Sequence, residues 1–103
     1  MRAITIEELK NTDLQTMTIV DIRPVEDYHR GTFPGAVSIP MAELSSRMEE
    51  IPKEKPVCIM CHTGGQWEGS AALLKDAGYE VSHLEGGYRL YLRMENNTNM
   101  ACD

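Results

Sequence analysis

The sequence predicts an α/β domain with a mainly parallel sheet and helices on both faces. Apolar, β-branched runs alternate with short helical patterns along the chain, the order expected when parallel strands are joined by helical crossovers. The run Val57-Cys58-Ile59-Met60-Cys61 ends in a loop with two glycines, Gly64 and Gly65, and a helical pattern then continues through Leu74. That order reads strand, loop, helix. Finally, Pro24, Gly31, Pro40, Gly78 and Gly86 fall at the joints between these segments, where proline and glycine start and stop elements.

Each element follows from local signals. Thr5 and Glu8 have the spacing of a capping box, so a short helix is expected to about residue 11. Residues 18–22 are rich in β-branched side chains and read as a strand. Pro24 opens a short helix over 25–30, since proline is tolerated in a first turn, and Gly31 stops it. Pro34-Gly35 is a turn, 36–39 a short strand ended by Pro40, and 41–48 helical. The charged segment 52–56 turns into the strand 57–60. Ala71, Ala72, Leu73 and Leu74 give 68–77 its apolar positions, with Gly78 as its cap. Residues 80–84 form the next strand, and Gly86-Gly87 lead into a last helix over 88–94. Asn96, Asn97, Thr98 and Asn99 predict a flexible polar tail, so one domain is expected over 1–95 and a tail over 96–103.

Bulk composition narrows the class of function. The chain has 103 residues, 42% of them hydrophobic, which suits one folded core. Its formal charge of −6 gives no electrostatic footprint for nucleic acid or an anionic membrane, and the charge is read as an aid to solubility. No apolar run approaches the ~20 residues that span a bilayer. The first residues lack the long apolar segment of a signal peptide, so a cytoplasmic location is expected.

The chemistry concentrates at Cys61. A strand's carboxyl end followed by a glycine-rich loop and a helix start surrounds a thiol with unpaired N–H groups and partial positive charge. Such a place favours the nucleophilic thiolate and holds an anionic sulfur. Right-handed crossovers gather strand ends on one edge, where ligands of open α/β sheets bind, so Asp21, Cys61 and Glu85 are expected on one rim. Three cysteines (Cys58, Cys61 and Cys102) do not suggest a disulfide framework. Cys58 and Cys61 have C-x-x-C spacing, but Cys58 falls inside the strand pattern and is expected in the core. A zinc site needs more ligands than the nearby His62 supplies, so no metal and no cofactor are expected.

Three segments together make the chain resemble a single-domain rhodanese-like sulfurtransferase, over about residues 3 to 94. The first is Val20-Asp21-Ile22-Arg23-Pro24-Val25-Glu26-Asp27-Tyr28, continuing into Gly31-Thr32-Phe33-Pro34-Gly35-Ala36. The second is Cys61-His62-Thr63-Gly64-Gly65, and the third is Leu84-Glu85-Gly86-Gly87-Tyr88. The resemblance implies a three-layer α/β/α fold on a five-stranded sheet. It also implies ping-pong transfer of sulfane sulfur through a persulfide on Cys61, from thiosulfate or a low-molecular-weight persulfide to a thiol or protein acceptor. His62, Thr63, Gly64, Gly65, Gln66 and Trp67 would then be the active-site loop, with both glycines allowing positive φ. Asp21, Arg23 and Glu26 would fasten the neighbouring segment, Arg23 supporting the site without taking part in the chemistry.

The departures from the family pattern carry expectations of their own. Gln66 stands where many members have arginine, so the loop lacks one cation for a dianion such as thiosulfate. A charge-assisted hydrogen bond contributes roughly 1.5–3 kcal/mol against ~1 for a neutral one, so thiosulfate affinity is expected to fall about a decade. A persulfide is the expected natural donor. Trp67 is read as packing over the helix start, with a lid or partner contact as the alternative. His62 is read either as a charge beside the thiolate, adjustable near neutral pH, or as an exposed loop residue. His29 and His83 are taken as ordinary surface or strand residues, and Thr32, Phe33 and Tyr91 as packing changes. Two other functions compete. A cysteine phosphatase or arsenate reductase needs an arginine closing its loop, and none lies between Cys61 and Arg89. A non-catalytic binding or regulatory module fits the absent loop arginine. Cys102 is either incidental or a second sulfur acceptor.

Overall fold

The structure, a computed structural model, describes residues 2–63 and 65–101. Five strands, β1 (Arg2–Ile4), β2 (Thr18–Asp21), β3 (Val37–Ser38), β4 (Val57–Met60) and β5 (Val81–Leu84), form one sheet in the order β1-β5-β4-β2-β3. Every pairing is parallel, so all carboxyl ends lie on one edge, as the alternating pattern predicts. The helices are α1 (Ile6–Lys10), α2 (Val25–Arg30), α3 (Leu44–Arg47), α4 (Glu68–Asp76) and α5 (Gly87–Ala101).

Strand parity splits the core into two layers. Val57, Ile59 and Cys61 point to one face, where Leu44 of α3 and Ala71 and Leu74 of α4 cover them. Cys58 and Met60 point to the other, with Ile6 and Leu9 of α1 and the start of α5. β4 is therefore buried on both faces, which is why it reads as an unbroken apolar run and not as an alternation. The capping box is formed: Thr5 N–H donates to the Glu8 carboxylate and Glu8 N–H to Thr5 Oγ1, each at 3.1 Å. Among the described residues no helix is long and apolar enough to cross a membrane.

Three differences from the sequence reading have physical causes. β1 supplies the fifth strand, which no local signal marks. It is a three-residue edge strand with only Ile4 buried, too short to show an alternation. The helix expected over 41–48 is a single α-turn, α3, between 3₁₀ turns at Met41–Glu43 and Met48–Glu50. Its one fully buried residue is Leu44, with Met48 packed partly against the same core, and short segments of this kind favour the tighter helix. The last helix begins at Gly87 and runs to Ala101, through the part of the expected flexible tail from 96 to 101. After Gly87 no proline or glycine interrupts that stretch, and Asn and Thr lower helix propensity without stopping it. Cys102 lies outside the described residues.

Candidate active site

The segment after β2 is built around a buried carboxylate. Asp21 is fully buried and Arg23 nearly so. The Asp21 side chain turns back to accept the Arg23 backbone N–H at 3.0 Å, the habit of Asp in a tight turn. Arg23 then donates from Nε to Asp21 Oδ1 at 2.9 Å and from Nη2 to Oδ2 at 2.7 Å, a two-point clamp. Nη2 also donates to the Gly31 carbonyl at 2.7 Å. The guanidinium lies over the Tyr88 ring at 4.2 Å from its centre. Thr32 Oγ1 donates to Asp21 Oδ2 at 2.8 Å, so Thr32 is part of this network and not only packing. Glu26, expected here, is exposed on α2 and joins no part of the network. The α2 carboxylate that faces the site is Asp27, one residue on. A six-residue helix turns about 100° per position, which the sequence pattern alone does not orient.

Cys61 directly follows β4, on the sheet edge beside Asp21, which pairs in register with Met60. It is 2% exposed and contributes to the core layer under α4. The loop that follows is tied to the last helix: Tyr88 N–H donates to the Cys61 carbonyl at 2.8 Å and Arg89 N–H to the His62 carbonyl at 2.9 Å. Two of the N–H groups that a helix start leaves unpaired are thus spent on fixing the loop. His62 reaches α2, with Nε2 3.2 Å from Asp27 Oδ2. Gly65 is not in the left-handed region, contrary to expectation, and a Cβ there would meet only Thr63 Oγ1 at 3.8 Å. Gly64 lies outside the described residues. Trp67 turns away and stacks on His83 of β5, ring centres 3.8 Å apart and 7° from parallel. His83 is therefore not an ordinary strand residue; it carries the indole that ends the loop, and burial lowers its pKa. Gln66 is exposed.

A cavity of about 510 Å³ opens beside the loop, lined by Arg23, Asp27, Arg30, His62, Tyr88 and Arg89 among others. A second of about 410 Å³ adjoins it, sharing Thr63 and Arg89 and adding Arg93. Of the expected loop residues, His62 and Thr63 line these spaces; Gln66 and Trp67 do not. Four of the chain's six arginines converge here although its net charge is −6. The sequence reading uses Arg89 only as the next arginine after Cys61 and does not single out Arg93. The signal was present: they are four residues apart on a helix, hence on one face, just after the glycines that start it.

Residues 5–94 match the rhodanese-like domain family. This chain belongs to the rhodanese-like family. It is 35% identical over 82 residues to a sulfurtransferase of Allochromatium vinosum, covering 79% of this chain and 77% of that protein. It is also 36% identical over 90 residues to the HTH-type transcriptional regulator Rv0324 of Mycobacterium tuberculosis, covering 82% of this chain but only 39% of the regulator. A rhodanese-related protein from Thermoplasma volcanium superposes with a TM-score of 0.82, covering 91% of this chain and 93% of that one at 20% identity, which speaks to the fold alone.

Within this rhodanese-like domain the C-x-x-C spacing has no redox or metal geometry. Cys58 and Cys61 lie in opposite core layers. Among the described residues no three His, Cys, Asp or Glu side chains gather as a metal site. Burial pushes the Cys58 thiol up to about 12. Cys58 is accordingly expected to resist iodoacetamide at pH 8.5 in the native protein and to react once the protein is unfolded in urea. Peptide mapping of the alkylated protein checks this. Rapid native labelling of Cys58 would show that the β4 layer opens.

Proposed function

We propose that this rhodanese-like domain is a sulfurtransferase that carries sulfur as a persulfide on Cys61. The observation that carries this reading is the position of Cys61. It stands at the carboxyl end of the central strand and opens a loop fixed to α5, beside a cavity lined with arginine. The sulfurtransferase relative, matched over most of both chains, supports it.

The Cys61 thiolate attacks the outer sulfur of the donor. A bond forms between Sγ and that sulfur while the donor's S–S bond breaks, and the leaving sulfite or thiolate keeps the electron pair. An acceptor thiolate, on a small molecule or a protein, then attacks the outer sulfur, and Cys61 recovers its pair and its starting state. Splitting the transfer in two lowers each barrier. Arg23 holds the Gly31 side of the cavity in place through Asp21 and the Gly31 carbonyl. With Gln66 lacking charge, a persulfide is the better donor and thiosulfate the poorer.

Brief incubation of the reduced protein with thiosulfate, and separately with glutathione persulfide, followed by intact-mass analysis, tests the reading. A gain of one sulfur (~32 Da), absent in Cys61→Ser, is expected. Gln66→Arg is expected to raise the rate with thiosulfate about tenfold. The absence of an adduct from either donor would favour a second reading, a non-catalytic regulatory module. Gln66 and the likeness to a transcriptional regulator favour that alternative.

A further inference from the structure

Two of the arginines at the cavity mouth, Arg89 and Arg93, are placed where a helix does not favour them. Arg89 lies in the first turn of α5, the end whose dipole favours anions. Arg93 follows four residues later, close enough for like charges to repel. Arg30 stands across the cavity at the end of α2, its nearest carboxylate oxygen, on Asp27, 3.8 Å away and also facing His62. Among the described residues neither Arg89 nor Arg93 has an ion-pair partner. Arg23, by contrast, is already neutralised by Asp21. Among the described residues Asp27 is the one carboxylate on the lining of the two cavities, against four arginines. The combined space is far larger than thiosulfate needs and falls in the range of sites for small organic ligands.

From this we infer that Arg89, with Arg30 and Arg93, selects low-molecular-weight sulfur partners that carry carboxylate or phosphate groups away from their sulfur. This deepens the proposed function and rests on it. The arginines supply, from α2 and α5, the positive charge that Gln66 leaves out of the loop. They act on a part of the partner remote from the reacting sulfur, so they govern capture and not bond exchange. Their rigid, forked N–H groups suit both anions.

Two matched pairs of donors test the inference. Glutathione persulfide is compared with its diethyl ester, and coenzyme A persulfide with the uncharged persulfide of N-acetylcysteamine. The rate of sulfur addition to Cys61 is read by intact mass at low salt. Each charged donor is expected to react about tenfold faster than its uncharged match, a few-fold from each exposed pair. Arg89→Gln and Arg30→Gln bring that ratio towards one, and high salt does the same. Arg47→Gln, on a distant surface, leaves the ratio as it is. A preference in the first pair alone assigns carboxylates, and in the second alone phosphates. Equal rates within both pairs, with the Cys61 adduct still forming, overturn the inference and leave sulfur transfer standing. The failure of every donor to form the adduct overturns both.

Discussion

Asp21→Ala is expected to destabilise the fold by about 3–5 kcal/mol, the usual cost of breaking a buried ion pair from one side. Asp21 is fully buried and accepts four hydrogen bonds, from the Arg23 backbone, Arg23 Nε and Nη2, and Thr32. Removing the carboxylate leaves the Arg23 guanidinium with the Gly31 carbonyl and the Tyr88 face as its remaining partners. A small domain has about 5–15 kcal/mol in all, so the loss is a large share. Asp21→Asn keeps the shape and loses the charge, and is expected to fall between the two. Urea unfolding followed by circular dichroism measures both. A double-mutant cycle with Arg23→Met separates the pair from its surroundings, because the doubly apolar variant strands no charge. A loss below about 1 kcal/mol for Asp21→Ala would mean that water reaches Arg23 and that the clamp is a surface feature.

The same network shows what a sequence reveals and what it hides. Asp21, Arg23 and the glycine at 31 were visible as a motif, and the β-branched run before them fixed the strand that carries them. Cys61 was visible for a similar reason: β4 is buried on both faces, so its apolar run is continuous and its end is sharp. Side-chain direction in short helices was not visible, which is why Glu26 is expected to help fasten the segment and Asp27, quoted beside it, is not singled out. The stack of Trp67 on His83 joins residues sixteen apart in sequence on different elements, and neither position carries a local signal of its partner. The cationic mouth was hidden by averaging. A net charge of −6 describes the whole surface, whereas Arg30, Arg89 and Arg93 meet only because α2 and α5 follow β2 and β5 at the same edge of the sheet. β1 was too short for any periodicity, and its place depends on pairing with β5.

Gly86→Ala is expected to cost about 2–5 kcal/mol, combining roughly 1–2 for a left-handed residue with ~1–3 for overlap in a packed region. Gly86 has φ +78, and an added Cβ would lie 2.3 Å from Leu90 Cδ2 and 2.6 Å from Leu90 Cβ. The first of those atoms is a side-chain tip that can rotate away. The second is bonded to the helix backbone, so α5 itself must shift. Leu90→Ala is therefore expected to recover only part of the loss. For a domain of this size each kcal/mol lowers Tm by about 4–8 °C, so thermal unfolding resolves the effect. The consequence reaches the site because the first turn of α5 holds the Cys61 and His62 carbonyls and places Arg89 at the cavity. A variant that still folds is expected to add sulfur more slowly and to discriminate less between charged and uncharged donors. An unchanged Tm with unchanged discrimination would show that the start of α5 is set by its packing on β1 and β5 and not by the turn at Gly86.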